Sequence, residues 1–343
     1  MLALALAAPL AAHLPARPAS ALETGAELQQ ARGLHWERFD PRTRKKVWDI
    51  IAKEARAEQD GSSYRIDTPT VVIFGSDYAV HLSSKSGFVK READRGNTFV
   101  LEGNVVAEIT DPGKTVVRTE RVEWLAAERL LQSDAAVEVR RTDFRVVGEG
   151  MELVPQQDGK DVKLIRLKKN TKAAISPQAS RSAMFGAVTG KAELIKDDAP
   201  APPEMRISSD GPMTINRDSS AVDFERNVQV QRGTFRMRCD KMRVTFDKRT
   251  QQARDIICEG AVEAADGENG ARCSSLTWDA ASGLAELSGT PDKPAQTWRG
   301  SSTVSAPIIW ISKDNSVLWS GRVHIFAPPE GPSSLIHFGG GRQ

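Results

Sequence analysis

The chain is poor in the residues from which chemical sites are usually built. Its three cysteines, Cys239, Cys258 and Cys273, are odd in number and lie at no metal-ligand spacing. That excludes a complete disulfide framework and a thiolate zinc knuckle. Cys239 shares strand parity with Phe235 and Met237 and reads as a small buried hydrophobe. A pair between two of the three is open in an oxidising compartment, and the sequence does not choose one. The five histidines, His13, His35, His81, His324 and His337, are scattered, with no two of them four residues apart, so no helical metal motif is present. Aromatic residues make up only 6%. A net charge of +2 lacks the broad positive footprint of a nucleic-acid binder, and nucleic acid is not expected as a partner.

Long apolar runs are also missing. Met1 to Ala16 is rich in Leu and Ala, but Pro9, His13 and Pro15 interrupt it and it is too short to span a bilayer. Pro18-Ala19-Ser20-Ala21 follows with the small residues of a cleavage site. Residues 1–21 therefore read as a secretory signal without a basic start, or as the remnant of a membrane anchor.

Catalytic signatures are no more evident. There is no Gly-x-Ser-x-Gly elbow. Gly113-Lys114-Thr115 imitates the end of a phosphate-binding loop, but Glu108 stands where the first glycine belongs, so the stretch reads as a hairpin turn. Asp197-Asp198 and the run Arg91-Glu92-Ala93-Asp94-Arg95 suit solvated, mixed-sign surface better than an acid/base couple. No enzyme activity, metal or cofactor is expected.

What the chain does have is repetition. Gly103-Asn104-Val105, Arg121-Val122-Glu123-Trp124 and Ala136-Val137-Glu138 are echoed in the same order by Arg226-Asn227-Val228, Arg243-Val244-Thr245-Phe246 and Ala261-Val262-Glu263. A further partial copy stands at Trp319-Ser320-Gly321-Arg322-Val323. Ordered phrases of this kind point to one supersecondary unit used more than once. With 343 residues, 40% apolar and 27% charged, two globular domains are the natural expectation.

From Thr68 onward, short β-branched and aromatic runs alternate with charged residues and are divided by turns such as Asp111-Pro112-Gly113 and Asp266-Gly267-Glu268-Asn269-Gly270. The fold class is all-β, with one apolar and one wet face per strand. Upstream, residues 24–60 suggest a helix. Asp40 would cap it, Pro41 would fit its first turn, and Val47, Ile50, Ile51 and Ala55 would share a face. Such a helix would either cover one end of the β domain or, through Arg42, Arg44, Lys45 and Lys46, lie at a membrane surface. Residues 176–205 read as a Pro-rich linker, with a short helix near Ala183 to Ala187, and 327–343 as a disordered tail.

These phrases carry a family resemblance. Residues 97–154 resemble the LptC-type periplasmic component of lipopolysaccharide export through Leu101-Glu102-Gly103-Asn104-Val105, Val122-Glu123-Trp124, Leu131-Gln132-Ser133-Asp134-Ala135-Ala136-Val137 and Val147-Gly148-Glu149-Gly150-Met151. Residues 207–326 resemble the OstA-like, LptA-type module through Phe224-Glu225-Arg226-Asn227-Val228, Cys258-Glu259-Gly260-Ala261-Val262 and Leu287-Ser288-Gly289. The resemblance implies two twisted, partly open β jelly rolls in tandem, at 61–175 and 206–326. They would stack into an apolar trough for lipid A acyl chains and pass them along passively across the periplasm.

It further implies lipopolysaccharide as cargo and an inner-membrane ABC transporter complex as the energy source, since no nucleotide-binding motif is present here. Other bridge proteins would join through open strand edges, and attachment to the inner membrane is left open. The inward-facing candidates for lipid contact are Val122, Trp124, Val137, Phe144 and Val146 in the first module. In the second they are Phe235, Met237, Val244, Phe246, Leu276 and Trp278. Arg236, Arg238 and Arg243 alternate with them and belong either to a phosphate-binding rim or to a solvated outer face. A carbohydrate-binding jelly roll or surface adhesin is the alternative, kept open by Trp298, Trp310 and Trp319. A β-solenoid enzyme would need acidic residues gathered at one rung, and none gather.

Overall fold

The computed structural model describes residues 30–40, 43–58, 63–75, 78–92, 96–110, 114–141, 144–155, 162–175, 204–247, 253–312 and 317–326. The expected signal or anchor, the linker up to residue 203 with its short helix, and the tail lie outside them, as do Asp197, Asp198 and the side chains of 91–95.

The described chain begins with a hairpin. Strands β1 (Gln30–Phe39) and β2 (Lys46–Ala57) pair antiparallel, which corrects the helix expected over 24–60. Asp40 does accept a capping bond, 2.8 Å from the Thr43 amide, but the segment it closes is a turn: the Asp40 amide donates to the Lys45 carbonyl. The apolar spacing was ambiguous, and the pattern that prevails has period two. Trp48, Ile50 and Ala52 are buried while Ile51, assigned to the helix face, is 54% exposed. Aromatic and β-branched residues favour the pleated surface.

Every further pairing is antiparallel and follows chain order closely. β2 pairs on its other side with β3 (Ser63–Asp67) and β4 (Thr70–Phe74), β3 with β6 (Ser86–Glu92), and β4 with β5 (Ala79–Ser83). β5 and β6 both join the long β7 (Gly96–Ile109). A meander continues through β8 (Thr115–Leu125), β9 (Leu130–Arg140), β10 (Phe144–Pro155) and β11 (Val162–Ile175). Beyond residue 203, β12 (Met205–Ser209) and β13 (Met213–Asn216) pair with β11 and also with β14 (Ala221–Arg232). The sheet therefore crosses from one half of the chain to the other without a break.

β15 (Phe235–Phe246), β16 (Ala253–Asp266) and β17 (Asn269–Asp279) extend it. β17 then splits the ladder between β18 (Leu284–Ser288) and β19 (Ala295–Arg299). Beyond these lie β20 (Ser302–Ala306) and β23 (His324–Phe326) on one limb, and β21 (Ile308–Ile311) and β22 (Val317–Ser320) on the other.

The repeated sequence phrases mark the bend that makes two limbs out of one sheet. The ladder register shifts between Glu102 and Val105, between Glu225 and Val228, and between Glu259 and Val262. At each shift two successive residues have positive φ: Gly103 and Asn104, Arg226 and Asn227, Gly260 and Ala261. Such a bulge bends its strand and raises the local twist. Glycine is required at Gly260, since its φ is +76° and a Cβ there would collide with the Asp240 side chain. Between β12 and β13 the same corner is a full break, with the amides of Asp210 and Gly211 donating to the carbonyls of Arg226 and Glu225.

Residues on both sides of each corner enter the same core. Phe99 and Leu101 precede the β7 corner and Val105, Ala107 and Ile109 follow it, all buried in one apolar cluster that runs from Trp48 to Val317. The two limbs therefore enclose a single interior shared by both halves of the chain.

Candidate functional site: an apolar interior that crosses the joint

All eleven candidates face this interior. Val122, Trp124, Val137, Val146, Phe235, Met237, Val244, Leu276 and Trp278 are buried in the cluster, and Phe144 and Phe246 pack against it half-buried. Strand alternation places them there, with Arg236, Arg238 and Arg243 exposed on the opposite face. Trp124 stacks on Phe99 with ring centroids 6.3 Å apart.

Several large interior residues were not singled out from the sequence. Trp48 and Ile50 lay in the segment read as helix, and Leu131, Met151, Leu153 and Leu167 flank corners where simple alternation breaks. Two outward residues in succession, such as Glu120-Arg121 and Asp240-Lys241, shift the parity there. The Gly-Asn-Val phrases were the available signal for those corners.

The interior is almost free of polar groups. The indole N–H groups of Trp48, Trp124 and Trp278 and the Thr171 hydroxyl are buried without a hydrogen-bond partner among the described residues. Buried Thr119 Oγ1 and Ser133 Oγ lie 3.1 Å apart, and Thr119 Oγ1 also donates to the Ala136 carbonyl. The three cysteines are buried and free, and Cys258 Sγ lies 3.9 Å from Met237 Sδ. The Cys258 thiol is held well above its ordinary pKa by its hydrogen bond with Cys239 and by burial, and burial pushes Cys273 up to about 12. Thiols held protonated in this way are poor nucleophiles and poor metal ligands.

Outside the interior, His35, Glu37 and Asp49 bring ligand atoms within 4.8 Å of one another on the β1–β2 hairpin. Lys46 already fills that cluster: its ammonium pairs with Glu37, lies 3.3 Å from Asp49 and has its pKa raised, chiefly by the Glu37 bond. The tryptophans that kept a carbohydrate platform open stand on three different strands, β19, β21 and β22. Trp298, Trp310 and Trp319 are all half-buried, and Trp310 Nε1 donates to Glu286 Oε2 at 2.8 Å. Of Gly113-Lys114-Thr115, Gly113 lies outside the described residues and Thr115 opens β8 opposite Ile109 of β7. Among the described residues no helix is long and apolar enough to cross a membrane.

Among the described residues, the interior enclosed by the two sheet limbs is lined almost wholly by apolar side chains. Residues 206–317 match the family described as LptA/(LptD N-terminal domain) LPS transport protein. A solved structure of LptH, the LptA-homologous periplasmic component of the lipopolysaccharide transport device of Pseudomonas aeruginosa, is similar at 12% identity and a TM-score of 0.31. The match covers 36% of this chain and 95% of that one. No curated protein matches the chain. Residues 1–176, more than half of the chain, match the family described as lipopolysaccharide-assembly, LptC-related, and the chain belongs to that family.

Proposed function

We propose that this chain is a passive conduit of the periplasmic lipopolysaccharide transport bridge, holding acyl chains between the two limbs of its sheet. One observation carries the reading: the apolar cluster continues across the joint at which β11 pairs with β12 and β13. In this reading a lipid chain follows that cluster from the first half to the second, packed among its side chains. Each methylene kept from water contributes about 0.8 kcal/mol, so ten contribute about 8 kcal/mol. Leaving the membrane forfeits similar burial, and directional movement draws its energy from a partner, the inner-membrane ABC transporter complex.

In this reading residues 61–175 and 206–326 are two twisted, partly open jelly rolls. The eleven inward residues line the path, and the protein works in the periplasm at the inner-membrane end of the bridge. Its outermost strands, β1 at one end and β22 and β23 at the other, carry exposed Phe39, Leu318, Ile325 and Phe326. They are the edges to which neighbouring bridge proteins would add strands.

The test is in-cell photocrosslinking with a photoreactive residue at Trp124 or Phe235 and an outward control at Arg236. Lipopolysaccharide adducts at the first two positions and none at the control are expected. Absence of adducts at both interior positions would remove the conduit.

A further inference from the structure

Three buried thiols stand on three neighbouring strands at one corner of the sheet, and the conduit reading gives none of them a role. Cys239 lies on β15, Cys258 on β16 and Cys273 on β17, all within the interior cluster. The ladder fixes where each stands relative to the bend. Between β15 and β16 the register holds Arg238 opposite Glu263, shifts, and resumes with Lys241 opposite Glu259 and Met242 opposite Cys258. Cys239 follows Arg238 and so belongs to one limb, beside Val262. Cys258 faces Met242 and belongs to the other limb.

On each strand only corner residues that are not buried separate the two limbs: Asp240 and Lys241 on β15, and Glu259, Gly260 and Ala261 on β16. Inward side chains converge on the inside of such a bend, so Cys239 and Cys258, which a flat sheet would hold apart on a diagonal, are brought towards each other. The third thiol is set apart by the same ladder. Cys273 stands opposite Val262 from the β17 side, so a whole strand separates it from Cys239, about 10 Å and beyond the span of a disulfide. Cys258 lies on a diagonal to both, and its side chain leans towards β15. Its Sγ is 3.9 Å from Met237 Sδ, and it shares a hydrogen bond with Cys239.

We infer that Cys239 and Cys258 are a disulfide-forming pair that staples the two limbs of the sheet at this corner, with Cys273 left as a thiol. The oxidant is a disulfide of the compartment, carried by an oxidoreductase or by glutathione. One cysteine thiolate attacks a sulfur of that disulfide, forms a mixed disulfide and releases one thiol. The second cysteine thiolate then attacks the protein sulfur of the mixed disulfide and releases the other. The two protein thiols give up two electrons and two protons, and the oxidant departs as two thiols that carry both.

In the folded corner the Cys258 thiol, held protonated by its bond with Cys239 and by burial, is a poor attacker. The exchange therefore belongs to folding, before β15, β16 and β17 close over the interior, and the same burial then shields the finished bond from reductants. Because its ends lie on different limbs, the bond fixes the angle at which the limbs enclose the interior. The inference takes an oxidising compartment from the conduit reading and nothing from the cargo.

The test refolds the full chain in a buffer of reduced and oxidised glutathione, blocks the remaining thiols with N-ethylmaleimide in denaturant, and digests with trypsin without reduction. The expected product joins peptide 239–241 to peptide 255–272, while the peptide that begins at Cys273 carries one maleimide. The crosslink should survive Cys273→Ser and be lost in Cys239→Ser. The crosslinked protein should melt about 5 °C or more above the same protein refolded with dithiothreitol, a gap that Cys239→Ser should lack.

The inference is overturned if all three cysteines carry maleimide after oxidising refolding, if Cys273 is joined to either of the others, or if the crosslinked protein melts no higher than the reduced one. Interior adducts at Trp124 and Phe235 without the crosslink would leave the conduit standing. The crosslink without interior adducts would remove the conduit and keep the staple.

Discussion

Trp124 and Trp278 each place a large ring in the interior and leave the indole N–H without a partner among the described residues. The ring and the N–H have opposite effects on stability. Removing the ring, as in Trp278→Ala, opens a cavity and is expected to cost about 3–5 kcal/mol. A buried unpaired donor costs about 1–3 kcal/mol, and Trp278→Phe deletes it while keeping most of the apolar surface. Urea unfolding should therefore find Trp278→Phe within about 1 kcal/mol of the wild type, with Trp278→Ala far below it. A Phe variant as unstable as the Ala variant would mean that the indole nitrogen is bonded. At this scale the sequence was highly legible within straight strands. Phe235, Met237 and Cys239 are buried and Arg236 and Arg238 exposed because side chains alternate with period two. It was not legible whether a buried position touches a ligand, because core packing and lipid contact select the same apolar side chains.

The corner is the element that turns those straight strands into an enclosure. Arg226, Asn227, Asn104 and Ala261 adopt φ near +50° to +63° or slightly below, a region that costs residues with a Cβ about 1–2 kcal/mol. Ala261 is exposed and gains no burial in return. Ala261→Gly should therefore raise stability by up to about 1 kcal/mol, less the backbone entropy glycine brings to the unfolded chain. Gly260→Ala should lower it, because a Cβ there meets Asp240. Thermal unfolding of the two variants checks both signs, and a stabilised Gly260→Ala would contradict the bulge geometry. The Gly-Asn-Val phrases were read as repeats before their role was visible. Period-two alternation cannot reveal a corner at which two or three outward residues follow one another. The β1–β2 hairpin was missed for a related reason: Ile50, Ile51 and Ala55 fit a helical stripe, while the strand pattern Trp48, Ile50, Ala52 was equally present and wins through pairing with β4 and β3.

At the scale of the whole molecule, strands pair chiefly with neighbours in sequence, so stability is organised almost in one dimension. The two halves are coupled through β11, β12 and β13 and through the core that runs beneath them. Coupling of this kind makes the chain unfold as one unit while the joint is intact, with tryptophan fluorescence and far-ultraviolet dichroism giving coincident transitions. Ile207 lies buried in the middle of β12, opposite Ala173 on one side and Val230 on the other. Ile207→Pro removes a ladder donor from a central strand, a position at which proline is not tolerated. The expected result is two separated transitions in place of one, because the damage falls on the interface and spares the core of each half. The same variant should interrupt the interior path, so lipopolysaccharide adducts at Trp124 should persist while those at Phe235 decline. A single, merely lowered transition with adducts at both positions would show instead that the halves are held together by the core beneath the joint and that the shared ladder adds little.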